Sequence, residues 1–479
     1  MSELIQTDIC VIGAGSGGLS VAAGASQMGA STVLIEKGKM GGDCLNYGCV
    51  PSKALLAAGH AADAVRRGPR FGVEAGAPRI DAKAVYGHVH AAIAAIAPND
   101  SVERFEGLGV RVIQAAARFT GPREVEAGGV RVRARRFVVA TGSSPFVPPI
   151  PGLAETPYFT NETLFDGGGA LPEHLIVIGG GPIGVEMAQA HRHLGCRVTV
   201  LEKGTILPKD DPELVDVVRG RLVEDGVDLR EGAAVSGVAK TATGVRVAFD
   251  GPDGKESGTV EGSHLLVAAG RRPNVRGLDL EAAGIDHSPR GVAVDARLRT
   301  TNRRVFAIGD VAGGYQFTHM AGYHAGIVIR NALFRLPAKV DYKAVPWVTY
   351  TSPELAQVGM TEAEARKHHA ESDLRFLRWP YAENDRAQAE GETGGLIKLV
   401  ATRKGKVLGA GIVGPAAGES IQTWVLAISK GLKIGAVASM IAPYPTLGEV
   451  NKRAAGSFYT PGLFSERTRR LVRFLGRFG

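Results

Sequence analysis

Two of the four cysteines in this 479-residue chain, Cys44 and Cys49, are separated by four residues in the run GGDCLNYGCVPSK at 41–53. A thiol pair that tight can exchange electrons as a dithiol and disulfide, or hold a soft metal ion. Nothing at the N-terminus resembles a secretory signal, since MSELIQTD leads directly into an apolar strand. A reducing, cytoplasmic setting is therefore expected, where a close pair is catalytic or metal-binding rather than a structural staple. A helix starting near Cys44 would stabilise thiolate through its N-terminus and lower the pKa of both sulfurs. The plain alternative is two buried thiols that happen to lie close together. Cys10, inside the first strand, and Cys196, beside a later one, read as small buried hydrophobes.

The elements that must position the pair repeat once along the chain. TDICVIG enters GAGSGG, giving Gly13, Gly15 and Gly18, then a helix of small residues and a strand STVLIE ending at Glu36. LIVIG enters GGGPIG, giving Gly179, Gly181 and Gly184, and RVTVLE ends at Glu202. Strand, glycines, helix, strand and acid in the same register form a dinucleotide-binding βαβ unit, here present twice. The first glycine permits the tight turn, the second admits the pyrophosphate and the third lets helix and strand pack. The terminal carboxylate accepts hydrogen bonds from ribose hydroxyls. At Glu202 it suits a free 2′-hydroxyl and repels a 2′-phosphate, so NADH is preferred to NADPH. Lys203 and Lys209 lie near enough to soften that preference.

The length allows roughly three domains. Many glycines (65) with 44% hydrophobic residues suit a loop-rich α/β enzyme, and no apolar run is long enough to span a bilayer. Of the net +8, the segment 463–479 supplies +4, from Arg467, Arg469, Arg470, Arg473 and Arg477 against Glu466. The rest is only mildly basic and lacks a basic stripe with stacking aromatics, which argues against nucleic acid.

Together these residues resemble the class I FAD-dependent pyridine nucleotide–disulfide oxidoreductases, which include dihydrolipoamide dehydrogenase, glutathione reductase and mercuric reductase. VVATGSSP at 138–145 looks like the link out of the first FAD segment, and LLVAAGRRPN at 265–274 like the return from the NAD domain. FAIGDVAG at 306–313 resembles the second flavin motif, with Asp310 on the ribityl chain. THMAGYHAG, with His319, Met320 and Ala321, resembles the helix start at the flavin's pyrimidine edge, and VTYTSPELAQVGMTEAEA at 348–365 the opening of a dimerisation domain.

The resemblance implies an α/β fold with two Rossmann-like domains, for FAD and NAD, and a C-terminal α+β dimerisation domain. Its segments are FAD 1–150, NAD 151–274, FAD 275–345 and interface 346–479, in a homodimer. The fingerprint residues above, with Gly42, Thr141, Gly142 and Gly270, complete the implied cofactor contacts, and no resident metal site is read. Cys49 would be the flavin-proximal sulfur and Cys44 the outer, exchanging one. Lys53, one helical turn beyond Cys49, would pair with Glu186 beside the hydride-accepting nitrogen. Hydride would pass from NADH to FAD, and two electrons from FAD to the Cys44–Cys49 disulfide and on to an acceptor.

Disulfide-reducing members carry a His-Pro with a glutamate five residues after the histidine, supplied by the partner subunit as general acid and base. Here APYPTLGE at 442–449 keeps Glu449 but has Tyr444 at the histidine position. Tyrosine titrates near pH ~10, so at neutral pH it donates a proton but scarcely accepts one. Tyrosine followed by glutamate is similar to mercuric reductases, whose thiophilic ion needs no histidine. Their C-terminal cysteine pair has no counterpart, because no cysteine follows Cys196. The leading expectation is an NADH-dependent flavoenzyme reducing Hg(II) or Cu(II). The alternatives are a dihydrolipoamide dehydrogenase that manages without the histidine, and a slow FAD- and NAD-binding redox sensor at a membrane surface. The tail SERTRRLVRFLGRFG reads as an amphipathic helix, with Leu471, Phe474, Leu475 and Phe478 on one stripe. It would dock on its own dimer or lie peripherally on the inner membrane surface, where quinones become reasonable acceptors.

Overall fold

The second half of LIQTDICVI is apolar at every position, which is what a parallel strand covered on both faces requires. In a computed structural model of the protein, which describes residues 3–166, 170–254 and 257–478, this run is strand β1 (Leu4–Ile12). Residues 1–2 and Gly479, at the ends of the expected first domain and tail, lie outside the described residues. β1 is flanked by β2 (Thr32–Glu36) and by the strand Val130–Val139, both parallel, with Val11 opposite Leu34 on one side and Val138 on the other. Val110–Gln114 extends the sheet past β2, and Val305–Ala307 pairs with the far end of Val130–Val139. The near end of that strand carries two antiparallel strands, Glu124–Ala127 and Ala117–Gly121. Cys10 is fully buried within this sheet.

Helix α1 (Ser16–Gln27) is built of small residues because it packs very close to the helix Thr318–Ala332. A Cβ on Gly17 would lie 3.1 Å from the Ala321 Cβ. That contact brings the Thr318 end of the second helix towards the first fingerprint turn. The second fingerprint has its own parallel strands, His174–Ile178 between Arg197–Glu202 and His264–Val267. An antiparallel sheet of Ala234–Lys240, Val245–Asp250 and Ser257–Gly262 follows. Cys196 is buried beside the second set, and burial pushes its thiol up to about 11.

These residues form one compact unit, 1–203 with 230–341. The other is 342–479 together with 204–229, a stretch inside the expected 151–274 domain. Its core is an antiparallel sheet in the order Pro346–Thr349, Glu354–Gly359, Val407–Gly414, Leu396–Thr402, Leu374–Pro380. Lys398, buried on that sheet, holds Asp211 at 2.8 Å, Glu213 at 2.9 Å and Glu362 at 2.8 Å. Asp211 caps the helix Pro212–Glu224, so these ion pairs explain why 204–229 groups here. A buried lysine is tolerable because three carboxylates offset its lost hydration.

Candidate active site

Each fingerprint turn is shaped by close backbone contacts that only glycine permits. Gly13 has φ +107°, and a Cβ there would lie 2.4 Å from the Ala140 carbonyl oxygen. Gly179 repeats this with φ +112° and 2.5 Å to the Ala268 oxygen. A Cβ on Gly18 would come within 1.8 Å of the Gly13 oxygen, and on Gly184 within 1.9 Å of the Gly179 oxygen. Gly15 and Gly181, at the N-termini of α1 and of the helix Pro182–His193, differ from these. Nothing lies within 4 Å of where their Cβ would stand. An open cradle facing a helix N-terminus fits a pyrophosphate. Glu36 binds the Ala14 and Gly38 amides at 2.6 and 2.7 Å, and Glu202 the Gly180 amide at 2.6 Å. A carboxylate accepts about four hydrogen bonds, so ribose hydroxyls fit beside these amides. Both sites thus have the shape and donors of a dinucleotide site.

The cysteine run rests directly on the first turn. The Gly41 amide donates to the Ala14 oxygen at 3.0 Å, and a Cβ on Gly42 would lie 2.7 Å from the Gly15 Cα. Cys44 lies in the short helix α2 (Gly42–Asn46), and Cys49 is the first residue of α3 (Cys49–Arg67). Only Cys49 therefore has the start of a long helix beneath it. Its thiol is lowered to about 6, chiefly by a hydrogen bond from Cys44, then by Thr318 and the charge of Lys53, against burial and Asp43. The hydrogen bond to Cys49 and burial raise Cys44 well above the usual thiol range. The expectation that both sulfurs would be acidified is corrected: one proton is held between them, it stays on Cys44, and the thiolate is Cys49. The Thr318 Oγ1 is 3.3 Å from the Cys49 Sγ.

A pH test follows from this asymmetry. Because the pKa of Cys49 is depressed, its thiolate persists above pH ~6 and is lost as pH falls through that value. Thr318→Val removes one hydrogen bond to that charge and is expected to raise the midpoint by about 1–2 units. Alkylation rate against pH in the dithiol form measures it, and an unmoved midpoint would exclude Thr318 as a thiolate partner.

Lys53, one turn along α3, donates to Glu186 Oε2 at 2.8 Å, with the lysine side chain 38% and the glutamate 5% exposed. Glu186 lies on the helix that follows the second fingerprint. The turn after Val130–Val139 is fixed by a reciprocal pair: Thr141 Oγ1 donates to the Asn274 oxygen at 2.8 Å, and Asn274 Nδ2 to the Thr141 oxygen at 3.0 Å. Gly142 accepts from the Asn274 amide and Gly270 from the Phe146 amide. His319 stacks on Phe317 at 5.2 Å.

Sequence reasoning missed the network that joins these pieces. Asp310 accepts from Ser143 Oγ at 2.6 Å, and Ser143 from Arg271 Nε at 2.8 Å. Arg271 also pairs with Asp43 at 3.1 Å, and Asn161 donates to Asp43 at 3.0 Å and to the Tyr47 oxygen at 3.1 Å. Burial raises the Asp310 carboxyl, while the Ser143 hydrogen bond opposes that shift. The residue next to Cys44 is thereby tied to the aspartate of the 306–313 motif. The one available signal was that both Asp43 and Arg271 stand inside runs already notable for other residues.

Tyr444 and Glu449 belong to the C-terminal unit. Tyr444 is 65% exposed and donates to Asp385 Oδ2 at 2.7 Å, which raises its hydroxyl above the ordinary tyrosine value. Glu449 accepts from Arg453 Nε at 2.9 Å. Tyr444 is thus a proton donor already engaged with a carboxylate.

The sequence pattern described as pyridine nucleotide-disulphide oxidoreductase matches residues 7–325, and that family's dimerisation domain matches 345–455. Mercuric reductase of Streptomyces lividans is 36% identical over 460 residues, covering 94% of this chain and 96% of that protein. Dihydrolipoyl dehydrogenase of Geobacillus stearothermophilus is 35% identical over 470 residues, with 94% and 96% covered. Among solved structures, the Cu(II) complex of the HOCl-induced flavoprotein disulfide reductase RclA from Escherichia coli superimposes with a TM-score of 0.83. It is 27% identical, over 93% of this chain and 99% of that one.

Proposed function

Since the chain belongs to the pyridine nucleotide-disulphide oxidoreductase family, whose members are FAD-dependent enzymes using NAD(P)H, we propose that it reduces a thiophilic metal ion, Hg(II) or Cu(II), at the expense of NADH. One NADH matches one Hg(II) reduced to Hg(0), or two Cu(II) reduced to Cu(I), with release of a proton. Bound FAD supplies the relay of electrons between the nicotinamide and the cysteine pair.

The observation that carries the choice of acceptor is Tyr444 hydrogen-bonded to Asp385. A disulfide or dithiol substrate needs a group that both gives and takes a proton at the outer sulfur, and this hydroxyl cannot take one at neutral pH. A soft ion instead displaces the Cys44 proton itself on binding, leaving two thiolates as ligands. The mercuric reductases among the relatives, and the Cu(II) complex of RclA, support that reading. For the donor, the Glu202 carboxylate at the strand end favours a ribose with a free 2′-hydroxyl, hence NADH. The dimerisation-domain match supports a homodimer.

The test is anaerobic NADH oxidation with Hg(II), Cu(II), lipoamide or a soluble quinone as sole acceptor. Turnover with a metal ion and hardly any with lipoamide is expected. Tyr444→His is then expected to raise lipoamide turnover by on the order of 10²-fold, as a positioned base typically does. Rapid lipoamide turnover by the unaltered protein would overturn the metal reading in favour of a dihydrolipoamide dehydrogenase.

A further inference from the structure

We propose that the C-terminal helix Glu466–Leu475 lays the enzyme on an anionic membrane surface. The helix begins at Ser465, whose Oγ accepts from the Thr468 amide at 3.3 Å, and none of its residues is buried. At about 100° per residue, Leu471, Phe474, Leu475 and Phe478 fall on one side, with Arg469, Arg470, Arg473 and Arg477 on the other and Arg467 at the first-turn end of the apolar side. Phe474 and Phe478 meet edge to face at 5.3 Å, so the apolar side is joined at its C-terminal end. Its four residues are 52–74% exposed, and Leu463 and Phe464 just before the helix are exposed as well. A patch of this kind marks a surface made for contact.

The charge identifies the occupant. Segment 463–479 carries +4 of the chain's +8, so the remainder of a second copy is itself basic on balance and brings no net negative charge to offset it. Glu466 pairs with Arg469 and Arg473. Among the described residues, no carboxylate lies within ion-pairing distance of Arg467, Arg470 or Arg477. The helix also lies beyond residue 455, where the match to the family's dimerisation domain ends. Phosphate headgroups supply the missing negative charge and the acyl boundary covers the aromatic side. Among the described residues no helix is long and apolar enough to cross a membrane, so the contact is peripheral.

The experiment is flotation of the full-length, FAD-loaded protein with vesicles of phosphatidylcholine alone or mixed with phosphatidylglycerol. Binding to the mixed vesicles is expected, and it should weaken with added salt and with phosphatidylcholine alone. Arg470→Gln and Arg473→Gln should each weaken binding about five-fold. The double variant Leu471→Glu, Phe474→Glu should abolish it while NADH oxidation in solution and sedimentation behaviour stay unchanged. Three results would overturn the proposal: no binding of the unaltered protein to mixed vesicles, unchanged binding by the double variant, or a change in oligomeric state in that variant, which would show a second copy covering the face.

Discussion

Serine in place of Cys44 is expected to lower acceptor turnover by on the order of 10³-fold or more, while NADH still bleaches the flavin as in the unaltered protein. A serine hydroxyl neither ionises at neutral pH nor binds a soft ion, so the group proposed to meet the acceptor is lost. The serine hydroxyl can still donate to the partner sulfur, as the Cys44 thiol does, so the hydrogen bond that lowers the Cys49 pKa is kept. Cys49 should therefore stay below the ordinary thiol value, with Thr318 and Lys53 as further support. The glycine turns and the Lys53–Glu186 pair do not depend on Cys44, so donation from the nicotinamide survives. Rapid mixing with NADH in the absence of oxygen reads that half-reaction, and steady-state turnover with the preferred metal ion reads the other. If the serine variant turned over at the normal rate, electrons would be reaching the acceptor without the cysteine pair. The chain would then act as a nucleotide-binding sensor or by direct transfer from the flavin.

What was legible in the sequence was whatever a few consecutive residues impose on their own backbone. The Gly13–Glu36 and Gly179–Glu202 units are of that kind: Gly13, Gly18, Gly179 and Gly184 each answer a contact made within their own βαβ unit or with the chain just after the strand beside it, while Gly15 and Gly181 leave space open. The Cys49–Lys53 spacing follows from the helical period alone. What was not legible depends on segments that meet only after folding. Which cysteine holds the proton is influenced by Thr318, 269 residues beyond Cys49. Arg271 reaches Ser143 across 128 residues and Asp43 across a still longer gap, and no periodicity announces such a bridge. Residues 204–229 read as part of a nucleotide-binding domain, yet Lys398 draws Asp211 and Glu213 into the C-terminal unit. The replacement of histidine by Tyr444 was plain in the sequence, whereas its tie to Asp385 was not, because nothing links positions 385 and 444 before the chain folds.

Alanine at Gly18 and alanine at Gly15 are expected to fail in different ways, although the two glycines stand three residues apart. At Gly18 the new Cβ would sit 1.8 Å from the Gly13 carbonyl oxygen and 3.0 Å from its carbon, a backbone that cannot rotate aside as a side chain would. Helix α1 must therefore lift off the turn. Since overpacking a core costs about 1–3 kcal/mol even when side chains yield, the loss here should reach at least ~3 kcal/mol, with FAD lost as well. At Gly15 nothing in the protein lies within 4 Å of the new carbon. The apoprotein should fold with its stability little changed, and the methyl group should intrude only on the pyrophosphate, weakening FAD by about 10–100-fold. Gly184→Ala repeats the first case at the second site, 1.9 Å from the Gly179 oxygen. That variant should keep its yellow colour but lose NADH-dependent bleaching, because the damage falls on the nicotinamide site. Thermal unfolding of the apoproteins, FAD titration and the bleaching assay separate the three variants. A Gly18→Ala protein that purified fully loaded with FAD and melted normally would show that α1 is not held against the turn as described, and the assignment of the first fingerprint to the flavin would fall with it.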